Sequence, residues 1–198
     1  MGAISTLLIV NLVSEPRSIQ RTVPHEFGLA DDQFARTMSA FSNGSISNGK
    51  AVQTLVNGDE IFPSMLAEIS SARSTINFET YIYWSGTVGY EFPRARAAKS
   101  RQGVEVRVLV DWVGSLPFDE ELIRVMTSAG VKFVRFRPVH WYTMDRVNNR
   151  THRKLLIVDG RVAFTGGVGI ADKWLGDARN VDEWRDTHYH ISGPVVAA

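Results

Sequence analysis

The chain has 198 residues, of which 44% are hydrophobic, 10% aromatic and 22% charged. That is the composition of one globular domain with an arm; it excludes a collagen, a disordered acidic chain and a polytopic membrane protein. Lys and Arg number 22 against 21 Asp and Glu, so the net charge of +1 gives no electrostatic case for a dedicated nucleic-acid binder. The absence of cysteine removes disulfides, thiol catalysis and Cys-ligated metals.

Residues 3–13, AISTLLIVNLV, form the one apolar run near the start. As a helix it would span roughly 16 Å, about half a hydrocarbon core. No Lys or Arg precedes it, so it is a poor signal peptide. It reads as a buried edge element, or as the tail of a longer membrane anchor with Arg17 and Arg21 just beyond the membrane face. Residues 14–50 read as an arm carrying Pro16, Pro24, the acids Asp31 and Asp32, and the loop-forming stretch SNGSISNGK. The boundary is placed at Lys50: residues 1–50 are the apolar segment and arm, and residues 51–198 the main domain.

From residue 51 the periodicity switches repeatedly. AVQTLV (51–56) is a strand, and Asp59 caps a helix through about Arg73 with Ile61, Met65, Leu66 and Ile69 on one face. TINFETYIY (75–83) is a strand, and a helix over 89–102 must hold Pro93 in its first turn or kink there. VEVRVLVDWV (104–113) alternates cleanly as a strand, Asp119 caps a helix ending at Gly130, and VKFVRF (131–136) follows as a strand. RKLLIVD and RVAFTG form a hairpin turned at Asp159-Gly160, and a last strand is expected over 184–192. Alternating strands and helices predict an α/β layer fold with a mixed, largely parallel sheet flanked by helices.

The most informative stretch is His152-Arg153-Lys154, then four residues, Asp159, then six residues, Gly166-Gly167. Residues two apart on a strand share a face, so His152 and Lys154 project together at the start of a strand whose next residues, LLIV, are buried. An imidazole beside an ammonium suggests an anion site: the lysine supplies charge and three donors, and the histidine a nucleophile or a general acid. Paired glycines let backbone amides approach an anion closely. Together these residues point to a phosphate or phosphodiester.

This pattern, H-x-K-x(4)-D-x(6)-G-G, resembles the signature of the phospholipase D superfamily. The segments NGDEIFPSML, FETYIYWSG, VDWVGS, NNRTHRKLLIVDGRVAFTGGVGIAD and WRDTHYHISGP are similar to the first half of bacterial cardiolipin synthases. The resemblance implies a phospholipase D-like half-domain and a ping-pong phosphotransfer with neither metal nor cofactor. His152 would form a phosphohistidine and Lys154 would clamp the non-bridging oxygens. Asp159 would order the strand and its turn, and Gly166 and Gly167 would shape the phosphate pocket. A nucleophilic histidine needs a carboxylate on its other ring nitrogen; Asp186 is the choice, with Glu79 behind it. Where many members carry an Asn donor this chain has Gly169, so the donor is absent or comes from elsewhere, such as Asn148 or Asn149.

The resemblance also implies partners. These are a phosphatidylglycerol-like phospholipid, a membrane surface at the bacterial inner membrane, and a second motif-bearing half or a homodimer partner, because the chain carries one motif. Truncation ahead of that second half is the expectation. Trp84, Trp112, Trp141, Tyr142 and Trp174 are candidates for a lipid-facing mouth, with core packing as the alternative. The segment 135–150 is a candidate for headgroup contact. His188 and His190 alternate on a strand and read as one sheet face rather than a metal pair. Two further readings stay open: a dimeric phosphodiesterase or nuclease, and an inactive half-domain.

Overall fold

The computed structural model describes residues 27–42, 50–139 and 149–197. The expectations for the run at 3–13, Arg17, Arg21, Trp141, Tyr142 and Asn148 fall outside them. The chain divides into two compact units, Met1–Ile46 with His140–Asn148, and Ser47–Val139 with Asn149–Ala198. In the first, the arm contains a helix that its polar composition did not announce, α1 (Asp32–Ser42). Its start is chemically legible: the Asp31 carboxylate accepts the Gln33 N–H at 2.8 Å, satisfying a donor that the first helical turn leaves free.

The second unit is built on β1 (Ala51–Val56), α2 (Asn57–Ser71), β2 (Thr75–Thr80), α3 (Thr87–Arg101), β3 (Glu105–Asp111), α4 (Glu120–Ser128) and β4 (Lys132–Phe136). It is completed by β5 (Leu155–Val158), β6 (Val162–Gly166) and β7 (Thr187–Ser192). The strands form one seven-stranded sheet in the order β1-β7-β6-β5-β2-β3-β4. The α/β fold with a mixed sheet is as expected, but the balance falls the other way from largely parallel. Only β2–β3 and β3–β4 pair parallel, while β1–β7, β2–β5, β5–β6 and β6–β7 are antiparallel. Parallel neighbours need a crossover, and α3 and α4 supply the two that join adjacent strands. The hairpin strands β5 and β6, followed by β7, insert between β1 and β2 and convert the rest of the sheet.

Asp119 caps α4 as expected, accepting the Glu121 N–H. Asp59 does not cap α2, which starts two residues earlier at Asn57, held in the left-handed region at φ 58°. Both Pro63 and Pro93 lie inside helices, Pro93 beyond the first turn of α3. The Asp159-Gly160 turn has φ of 53° and 61°, the pair of positive values that a two-residue hairpin requires.

The core lies between one face of the sheet and the three helices. Ile61, Met65 and Ile69 of α2 and Phe92 of α3 meet Phe78, Val106, Val108, Val110, Leu156 and Phe164. Full burial of each such side chain contributes ~1.5–3 kcal/mol. Among these apolar groups Arg96 is fully buried, its guanidinium 4.2 Å over the Phe78 ring and donating to Tyr83 Oη at 2.7 Å. No described helix in this unit is long and apolar enough to cross a membrane.

Candidate active site

The parallel strands β2 and β3 end, and β5 and β7 begin, at the same edge of the sheet, because β5 and β7 run opposite to their neighbours. The carboxyl ends of parallel strands are where open α/β sheets bind ligands. Here that edge collects Glu79, Tyr81, Asp111, Thr151, His152, Lys154, Gly166, Gly167, Asp186 and His188. His152 and Lys154 project together, as their spacing predicts. Lys154 Nζ stands 3.2 Å from His152 Nδ1 and 3.2 Å from Nε2, and donates to the His152 carbonyl at 3.2 Å. His152 is exposed and Lys154 is 8% exposed, so the imidazole is presented outward on a buried ammonium. Burial lowers the Lys154 pKa from its ordinary value, and the Asp186 carboxylate opposes the change.

The segment leading into His152 is pinned from two strands. Thr151 donates its hydroxyl to Glu79 Oε1 at 2.5 Å and its N–H to Asp111 Oδ2 at 3.2 Å. Asp111 is fully buried, accepts the N–H groups of Val113 and Gly114, and faces Arg150 at 3.6 Å. The His152 ring also rests on Tyr81, centroids 4.9 Å apart and tilted by 52°. Sequence reasoning passed over Tyr81; its place two residues after Glu79, beyond the end of a strand, was the available signal.

The glycine pair lies tight against the start of β7. A Cβ at Gly167 would lie 2.1 Å from Asp186 Oδ1, and one at Gly166 would lie 2.7 Å from His188 Nδ1. At Gly166 the Thr187 carbonyl, 2.5 Å from such a Cβ, and His188 Cα, 2.7 Å away, bar a side chain together with the imidazole; at Gly167 the Asp186 carboxylate takes the space of one. Asp186 is held there by the Thr187 N–H at 2.7 Å and Trp174 Nε1 at 3.2 Å. Among the described residues Asp186 makes no hydrogen bond to His152, the partner expected for it; Glu79, the second choice, is engaged by Thr151 and Arg153. Asp186 precedes β7, which lies two strands from β5 in the sheet, and its charge acts on Lys154.

Asp159 sits at the opposite end of β5, seven residues and roughly 20 Å from His152. It is thus not part of the reacting cluster. Its carboxylate accepts three consecutive backbone N–H groups, from Arg73 at 2.9 Å, Ser74 at 2.7 Å and Thr75 at 2.8 Å. Partial burial pushes its pKa up, but these donors and the nearby Arg161 outweigh that and leave it below the ordinary value. Asn149 lines the open groove of about 540 Å³ that also holds His152, Arg137, Arg150 and Arg153; its backbone carbonyl accepts from Arg137 at 3.0 Å. Gly169 packs against the Ile82 backbone, where a Cβ would meet Ile82 Cβ at 2.8 Å and Trp174 at 3.2 Å, so a larger residue there would displace β2's extension.

Of the candidate mouth residues, Trp174 is buried and bonded to Asp186, while Trp84 packs edge-on against Trp184, which is itself 39% exposed. His188 and His190 share a face; His190 turns to Glu68 at 3.6 Å and His188 is buried.

The sheet and its one-ended cluster define an α/β domain of the phospholipase D kind. A phospholipase D family member, Nuc from Salmonella typhimurium, superposes with a TM-score of 0.58 at 18% identity, covering 75% of this chain and 88% of that one. The phosphatidylserine synthase of Haemophilus influenzae gives 0.59 at 16% identity over 74% of this chain and 34% of that one. The chain belongs to the family described as cardiolipin synthase, PLD-like domain, whose model matches residues 65–182. The cardiolipin synthase of Geobacillus kaustophilus is 38% identical over 152 residues, 76% of this chain and 30% of that protein. The chain thus spans about a third of the length of the curated relatives it matches.

Proposed function

We propose that this domain transfers a phosphatidyl group between alcohols, or to water, through a phosphohistidine on His152. The observation that carries the reading is the exposed His152 ring with the Lys154 ammonium 3.2 Å from both of its nitrogens. One ring nitrogen attacks the phosphorus of a phosphodiester; an N–P bond forms as the bond to the leaving alcohol breaks, and the leaving oxygen takes up a proton. The acceptor's oxygen then attacks phosphorus, loses its proton, and frees the histidine. Lys154 stabilises the charge that builds on the non-bridging oxygens. Gly166 and Gly167 shape its pocket through Asp186 and His188, and Asn149 lines the approach to His152.

The substrate is a phosphatidylglycerol-like phospholipid at a bacterial membrane surface. The proton for the leaving alcohol comes from a second motif, in another segment of a longer chain or in a second copy of this one. None of the other histidines among the described residues, His188 and His190, bonds to His152. An activated diester, bis(p-nitrophenyl) phosphate, removes the need for that acid, because nitrophenolate leaves unprotonated. The full chain is expected to release one nitrophenolate per His152 in a burst and to carry an acid-labile phosphoryl label; His152→Asn does neither. A burst that persists in His152→Asn would overturn the mechanism. Cardiolipin and free glycerol from phosphatidylglycerol, against cleavage of single-stranded DNA, separate the lipid reading from the nuclease one.

A further inference from the structure

Across Gly166 from the Lys154 end of β5 lies a histidine for which the chemistry above has no use: β5 pairs with β6 at Leu155 and Thr165, and the next residue of β6, Gly166, pairs with His188. His188 is 1% exposed, and among the described residues neither ring nitrogen has a hydrogen-bond partner. A donor and an acceptor left unmatched in the interior cost free energy, so the ring is held there against a local penalty. In the sheet His188 stands opposite Gly166 on one side and Leu55 on the other. Its ring fills the hollow left by the first motif glycine, with Nδ1 where a Cβ at Gly166 would be 2.7 Å away. Asp186, two residues earlier, fills the hollow at Gly167. The charges of Asp186 and Lys154 both act on the imidazole, but burial is stronger and holds it neutral, with its pKa lowered to about 4.

We propose that His188 is a positioning residue for Lys154: its ring, seated at Gly166, closes the rear of the lysine's pocket and gives the ammonium an acceptor when its other protons turn to a phosphodiester. The role rests on the function proposed above, in which Lys154 grips phosphoryl oxygens. An ammonium has three N–H donors. Here one is donated to the His152 carbonyl, and Nζ lies 3.2 Å from each ring nitrogen of His152, of which a neutral imidazole can use one as acceptor. A ring nitrogen whose lone pair accepts from Lys154 cannot use that pair to attack phosphorus, so the lysine must release it before the N–P bond forms. A lysine that is 8% exposed as a whole residue has little bulk water beside it to replace the lost bond. The Asp186 carboxylate accepts one bond at each oxygen, from Thr187 and Trp174, and keeps further lone pairs that compete for the ammonium. His188 offers a nitrogen that nothing else uses. Neutrality matters in such an acceptor, because a further carboxylate would hold the ammonium back from phosphate and a cation would repel it.

The test uses the full chain with 15N-labelled histidine. Saturating inorganic phosphate is expected to shift a His188 ring nitrogen toward its hydrogen-bonded range, and Lys154→Met to abolish that shift. A His188 signal that ignores phosphate, or that responds equally in Lys154→Met, overturns the proposal, whether or not any turnover is seen. The nitrophenolate burst gives the kinetic arm. His188→Leu is expected to slow the burst at saturating ester at least tenfold with the half-saturating concentration unchanged within twofold. His188→Gln, which keeps a neutral acceptor, restores the rate to within threefold of wild type. A folded His188→Leu protein with the wild-type burst overturns the role. A wild type without a burst, but with the Lys154-dependent phosphate shift, overturns the phosphohistidine reading and leaves the His188–Lys154 contact standing.

Discussion

The burial of His188 makes the domain acid-sensitive in a defined window. Its pKa falls from the ordinary imidazole value of 6.5 to about 4 because burial penalises the charged form; the Lys154 charge adds to the fall and the Asp186 charge opposes it. Above about pH 6.5 the ring is neutral in the folded and unfolded chain alike, and contributes nothing to the pH dependence. As the pH drops from 6.5 toward 4 only the unfolded chain takes up the proton, so stability declines. A tenfold difference in proton affinity between the two states is worth about 1.4 kcal/mol, giving a loss of roughly 3 kcal/mol across the window and about 2 kcal/mol by pH 5. For a domain of this size that is a sizeable part of total stability. Urea unfolding followed by tryptophan fluorescence, at intervals from pH 7.5 to 4.5, measures it. His188→Gln removes the titration, so its stability is expected to change less than wild type by that same amount, about 2 kcal/mol at pH 5. If the two curves fall in parallel, His188 is not buried neutral and the placement of its ring beside Gly166 is wrong.

The same titration separates Asp159, whose depressed carboxylate contributes stability that is present above its unfolded pKa and lost only as the pH falls through the lower folded value, below the histidine window. Asp159→Ala removes the acceptor of three backbone N–H groups and is expected to cost roughly 2–4 kcal/mol in urea unfolding. Its burst rate constant should stay within twofold of wild type, since His152 lies at the other end of β5; a hundredfold loss would place Asp159 in the reaction after all. Gly167→Ala drives a Cβ into Asp186 Oδ1, and a displacement of about 1 Å in the group beside Lys154 is expected to slow the burst by about a hundredfold. An unchanged rate would show that Asp186 can move aside freely. Thr151→Val breaks the hydroxyl bond to Glu79 and should lower stability by about 1 kcal/mol while raising amide exchange at His152. Unaltered exchange would mean that the Asp111 contact alone holds the segment.

Much of this protein could be read from local patterns, because those patterns answer to local forces. The alternation in 104–113 marks β3, the apolar face of Ile61, Met65 and Ile69 marks α2, Asp119 caps α4, and Asp159-Gly160 is a turn through its own φ preferences. The two-residue spacing of His152 and Lys154 suggests a shared strand face; their side chains do meet, but in the irregular residues just before β5. The polar arm hid α1, whose apolar residues Phe34, Met38 and Phe41 are set among residues that favour loops.

Tertiary structure decided the rest, wherever residues distant in the chain meet. Nothing local says that β5, β6 and β7 insert between β1 and β2, and it is this insertion that sets His188 opposite Gly166, with Asp186 against Gly167, at the edge where Lys154 begins β5. Nor does the sequence reveal that the motif glycines are small because the main chain and side chains at the start of β7 press against them. A glycine's spacing records that room is needed; only the packed sheet says what fills it.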